Sequence, residues 1–167
     1  EVSVGIAFAH YQHPLQAIVR EAQKAEKRAK ADNNDGDKNG YNRAAFAVSL
    51  LKRGGETVYW GAKWEWNALE LYDKYCELRK ADKISARFPY ALAGLLAPYK
   101  LATPEHEDGF NAVAIIGKEL ETVFENQGGS ALRDDCHAYL KNLETNGRLQ
   151  DCANLFLTAA FIDRKRG

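Results

Sequence analysis

The chain has no methionine and only three cysteines in 167 residues. Cys76, Cys136 and Cys152 form no CxxC pair and cannot all be bridged, so a chain of this length needs no disulfide and the three fit buried core thiols in a reducing, cytoplasmic setting. No apolar run approaches the roughly 20 residues of a membrane span, and no charged-then-apolar leader opens the sequence. Net charge is also missing, because 23 basic residues balance 23 acidic ones. Overall electrostatics therefore give no argument for a nucleic-acid partner, and any such contact has to be local. Walker-type loops, dinucleotide fingerprints and serine elbows are absent too.

What is present reads as two regions. Val2, Val4, Ile6 and Phe8 alternate with Ser3, Gly5, Ala7 and Ala9, the period of a strand with one bulky and one small face. A small face allows close approach, by a packed helix or a ligand. The sequence enters this pattern directly at Glu1, which leads us to expect a piece of a longer protein. Pro14 suits the first helical position, and Leu15, Ile18, Val19, Ala22 and Ala29 keep helical spacing to about residue 30. Residues 32–42 are polar apart from Tyr41 and predict an exposed loop. Ala44 to Leu51 and Glu56 to Lys63 then read as two strands joined by Gly54-Gly55, a pair able to supply the positive φ angles of a hairpin turn.

Beyond Trp64 alternation gives way to helical periodicity. The predicted helices run over 66–80, 85–101 with disruption at Pro89 and Pro98, 104–126, 131–143 and 148–164. Their apolar stripes can be hidden only against one another, which predicts a bundle. The expected fold class is α+β, with residues 1–65 forming a strand, helix and hairpin and residues 66–167 an all-α domain.

Several constellations invite a chemical reading. Asp35-Gly36-Asp37-Lys38-Asn39-Gly40 matches the first half of an EF-hand loop, but position twelve, where a bidentate Glu belongs, is Phe46. His10 and His13 lack a third ligand nearby in sequence, and Cys136-His137 are helix neighbours whose side chains diverge. The predicted first helix is locally basic, with Arg20, Lys24, Lys27, Arg28 and Lys30 against Glu21 and Glu26. Lys27 and Lys30, three residues apart, share a face and suit a phosphate chain as point charges. Arg43 can add a planar fork to the same anion.

The succession Val4-Gly5-Ile6-Ala7-Phe8-Ala9-His10-Tyr11, His13-Pro14-Leu15 and Glu26-Lys27-Arg28-Ala29-Lys30 resembles the large subunit of the Cmr type III-B CRISPR complex. Arg43-Ala44-Ala45-Phe46-Ala47-Val48 and Leu51-Lys52-Arg53-Gly54-Gly55-Glu56 look like the hairpin that completes its second palm domain. Ile84-Ser85-Ala86-Arg87-Phe88-Pro89-Tyr90 and Ala160-Phe161-Ile162-Asp163-Arg164 extend the resemblance into the helical part.

The resemblance implies a partial ferredoxin-like palm followed by the subunit's C-terminal helical domain, working in antiviral defence. In that family two palms bind ATP and make cyclic oligoadenylate when target RNA is captured. Magnesium there is held by a Gly-Gly-Asp-Asp hairpin that precedes the family's equivalent of the first strand and is missing from this sequence. The chain alone is therefore expected to be inert and to bind neither ATP nor magnesium tightly. The family's Ala-Lys pair, which places its lysine on nucleotide phosphates, corresponds to Ala29-Lys30. Lys30 is the first candidate and Lys27 the second; Arg43 matches the arginine of a Gly-Arg-Asn pattern that here reads Asn42-Arg43-Ala44. Partners implied are the small helical subunits and other Cmr subunits, with CRISPR RNA and target RNA reached through the complex and Arg164, Lys165 and Arg166 able to touch an RNA backbone. No membrane is implied. The alternatives are a non-catalytic helical scaffold that binds small subunits, and a piece of another GGDEF-like nucleotide cyclase.

Overall fold

The small face of the first strand is explained by what lies over it. A Cβ on Gly5 would stand 2.2 Å from the backbone nitrogen of Glu26 and 2.3 Å from the carbonyl oxygen of Ala22, so a helix backbone rests directly on the glycine. The structure, a computed structural model, describes residues 2–31, 40–99, 112–144 and 147–164. Strand β1 is Val4–Ala9 and that helix, α1, is Leu15–Lys30; β2 (Ala45–Leu51) and β3 (Thr57–Lys63) follow. The strands form one sheet in the order β1-β2-β3, with β1 parallel and β3 antiparallel to β2.

Register fixes the faces. Gly5 stands opposite Ala47, and Ala47 opposite Gly61, so these three share the α1 side with Ala45 and Ser49. Small residues on the sheet meet Ala22, Ala25 and Ala29 on the helix, and the buried ring of Tyr41 completes this cluster beside Trp66. The other face carries the bulk: Val4, Ile6 and Phe8 on β1, Phe46, Val48 and Leu50 on β2, Val58, Trp60 and Ala62 on β3. Phe46 meets Trp60 edge-on at 5.4 Å and Trp64 at 5.1 Å. The hairpin runs through Lys52–Glu56, closed by the Lys52 amide on the Glu56 carbonyl. Only Gly55 of the glycine pair takes a positive φ, 85°.

The fold is α+β, as the sequence predicts. One compact unit reaches Trp66 and a second begins at Asn67. In the second, α2 (Ala68–Lys80), α3 (Phe88–Leu96), α4 (Ala112–Gln127), α5 (Arg133–Glu144) and α6 (Gln150–Asp163) surround an aromatic centre of Tyr75, Phe88, Phe124 and Phe156. Helix α6 is its central rod, with Cys152, Ala153, Leu155, Phe156, Thr158 and Ala159 all buried. Pro89 does not disrupt α3 but sits in its first turn, where no intrahelical amide bond is lost, whereas Pro98 falls in a short 3-10 turn after the helix. The predicted start of α4 at Pro104 lies outside the described residues. No helix among the described residues is long and apolar enough to cross a membrane.

Candidate functional site

Of the basic residues singled out in the sequence, Lys27, Lys30 and Arg43 gather at the carboxyl end of α1. The last carbonyls of a helix need partners, and here a returning segment provides them: the amides of Tyr41, Asn42 and Arg43 donate to the carbonyls of Arg28, Ala31 and Ala29 at 3.0, 2.9 and 3.0 Å. Gly40 permits this closure, since a Cβ there would stand 2.1 Å from the Ala31 carbonyl oxygen. Asn42, Arg43 and Ala44 then take left-handed φ values of 53°, 61° and 46° before β2 begins. Such conformations cost free energy in non-glycine residues and persist only where surroundings hold them; the three bonds to α1 are that hold.

Arg43 is thereby fixed to the same helical turn as Lys27 and Lys30, and all three side chains are exposed. The Lys30 ammonium pairs with the Glu26 carboxylate one turn back, at a solvated position. Donation from Lys30, and then its charge, hold the Glu26 carboxyl below the usual carboxylate range. The helix macrodipole places negative partial charge here, which favours the cations and opposes an anion. Any phosphate must therefore be drawn by the side chains, two point charges and one planar fork, and not by the helix end.

Arg28, on the same turn, has a different task. Its guanidinium donates to Ser49 Oγ at 2.7 Å and lies 4.4 Å over the ring of Tyr59, so it ties α1 to β2 and β3. In the sequence it is one of five basic residues of the helix, and the one signal of its different task is Ser49, a polar residue inside an apolar strand. Arg164 lies in the second unit and donates to the Tyr90 hydroxyl at 3.2 Å. Lys165 and Arg166 lie outside the described residues.

His10 and His13 lie towards the other end of α1 from this cluster. His10 follows the end of β1 and accepts the Gln12 amide on Nδ1, and its carbonyl receives the His13 amide, forming a turn into the amino end of α1. Sixteen helical residues separate that turn from Lys30, a span of about 24 Å. Of the EF-hand-like stretch, Asp35 to Asn39 lie outside the described residues, and Phe46, its twelfth position, is packed on Trp60. No group of three His, Cys, Asp or Glu able to hold a metal occurs among the described residues. Among the described residues, the site thus brings three cationic side chains to one helical turn.

In the second unit Cys136 and Cys152 are buried, unbridged thiols, and burial together with the neighbouring Cys152 pushes Cys136 well up from the usual thiol range. Such a thiol is a core side chain and not a nucleophile. Comparison of the chain with protein-family models, curated proteins and solved structures finds no match.

Proposed function

We propose that this chain is part of the large subunit of a type III CRISPR effector: the closing half of a cyclase-like palm, joined to a helical domain that docks small subunits. The observation that carries this reading is the unfinished sheet. Strand β1 pairs only with β2 among the described residues, which leaves its outer edge without a strand. Alongside it, Leu15 and Val19 of α1 are exposed, at 74% and 47%. A ferredoxin-like palm lays two helices side by side on one sheet face, so further strands and a second helix would cover both the edge and this flank.

In the completed palm Lys30, Lys27 and Arg43 would meet ATP phosphates as they become more crowded with charge. Lys30 would exchange Glu26 for the nucleotide, an exchange made easy by solvent on both partners. Metal ions neutralise the charge of phosphoryl transfer, and in this reading their ligands come from the acidic hairpin outside the sequence.

The test is calorimetry on the chain extended upstream to include the acidic hairpin. ATP with magnesium should bind, and Lys30→Ala should weaken binding by about tenfold, the loss of one charge-assisted contact. Equal affinity in the variant would reject the phosphate assignment.

A further inference from the structure

The outward face of α1 carries charge of one sign in a chain whose total is zero. Ala22, Ala25 and Ala29 face the sheet. At about 3.6 residues per turn, the opposite third of the helix holds Gln16, Arg20, Gln23, Lys24, Lys27 and Lys30, all of them exposed. That stripe has no acidic and no apolar side chain. The helix's own acids are turned to its flanks, where Glu21 pairs with Lys24 and Glu26 with Lys30. Arg20 and Lys27 have no acidic partner among the described residues. The helix macrodipole accounts for cations in the last turn, but its influence does not reach Arg20 and Lys24 in the middle. A second feature stands at the amino end: Tyr11 is 85% exposed, its ring 4.4 Å from that of His10.

We propose that the outward face of α1 binds a single-stranded nucleic acid, with its phosphates on Arg20, Lys24 and Lys27 and a base stacked on Tyr11. Proteins that hold single strands without reading sequence combine a cationic track for the backbone with exposed aromatic rings for the bases. The dimensions agree. Arg20 to Lys27 covers about 10 Å of helix, in which a strand rising about 3.4 Å per nucleotide sets about three phosphates. An acidic protein fits this face less well, because the stripe lacks the aromatic or aliphatic anchor at the centre of a protein interface. An anionic bilayer fits poorly too, since a helix lying on lipid turns its apolar side chains to the membrane. Leu15 and Val19 point about 80–120° away from the middle of the stripe. A duplex keeps its bases stacked inside and leaves Tyr11 without a partner.

The experiment uses the whole 167-residue chain and the fluorescence anisotropy of short labelled oligouridine and oligothymidine. Between about 50 and 200 mM salt, the logarithm of affinity should fall against the logarithm of salt with a slope of about −2, from three phosphates at about 0.7 each. Arg20→Gln should reduce the slope to about −1.4, and Arg20→Lys, which keeps the charge, should restore it. Tyr11→Ala should weaken binding about tenfold and leave the slope unchanged. Lys118→Gln, an equal loss of charge in the second unit, should alter neither. All four side chains are exposed, so the variants should keep the wild-type circular dichroism. Absence of binding at about 50 mM salt overturns the proposal, as does an unchanged slope in Arg20→Gln or unchanged affinity in Tyr11→Ala. So does polyglutamate, a matched duplex or a phosphatidylserine vesicle that binds as tightly as the oligonucleotides. Arg20 lies outside the Lys30 and Arg43 cluster, so ATP affinity of the upstream-extended chain should be indifferent to Arg20→Gln, and the two readings fail separately.

Discussion

Replacing Gly5 by alanine tests the closeness of the helix–sheet contact on which the first unit depends. The new methyl would meet three backbone atoms of α1, the Glu26 nitrogen at 2.2 Å, the Ala22 oxygen at 2.3 Å and the Glu26 Cα at 2.8 Å. None can rotate away. Ordinary contact begins near 3.4 Å, so the helix must retreat by about 1.2 Å along most of its length. That loosens the packing of Ala25 and Ala29 on Ala45 and Ala47. We expect a cost of about 3 kcal/mol, the top of the overpacking range, although alanine in a strand ordinarily gains about 0.5–1 kcal/mol over glycine. In a unit of this size the midpoint should fall by more than about 10 °C. Trp60, Trp64 and Trp66, the only three tryptophans, all lie in the first unit, so fluorescence reports it selectively. Gly94→Ala and Gly117→Ala are the controls. Nothing lies within 4 Å of either added Cβ, both positions are helical, and each should gain about 1 kcal/mol in the helical signal. An unchanged fluorescence midpoint for Gly5→Ala would refute the close approach of α1 to β1.

Arg28→Ala should cost about 2 kcal/mol in the same fluorescence assay, from the lost bond to Ser49 and the lost stack on Tyr59; Lys at this position should recover only part, lacking the planar fork. Tyr75→Phe should be neutral or gain up to about 1 kcal/mol, because the buried Tyr75 hydroxyl has no hydrogen-bond partner among the described residues. Burial pushes the Tyr75 phenol up to about 12 from the usual 10.0, so the unfolded chain ionises first; stability of the wild type should decline as pH rises from 10.0 to about 12, and the phenylalanine variant should lose less over that window in denaturant titrations. Replacing residues 32–39 by two glycines should stabilise the first unit by about 1 kcal/mol in the fluorescence assay, two halvings of the loop length, since Ala31 and Gly40 already touch.

Much of the first unit was legible because its signals are local. Alternation in β1, helical spacing in α1 and the glycine pair of the hairpin each fix an element within a few residues, and the small face of β1 announced a close neighbour. The end of α1 was not legible. Three consecutive left-handed residues at Asn42 to Ala44 contradict their own propensities and exist because Arg28, Ala29 and Ala31 offer carbonyls that only the folded chain brings near. The diversion of Arg28 into structure was hidden for the same reason, since Ser49 and Tyr59 are distant in sequence. Pro89 looks like an interruption in the sequence because its position relative to the first turn of α3, and not its identity, decides its effect.

The central place of α6 has a consequence for synthesis. Among the described residues the three strands pair only with one another and Glu1–Trp66 form one compact unit, so that unit can form while later residues are still being made. The helical unit cannot, because Phe156 and its buried neighbours are the surface on which Tyr75 and Phe88 close. Until Gln150–Asp163 has left the ribosome, the earlier helices carry an uncovered apolar groove, and that interval is when a chaperone would find this protein.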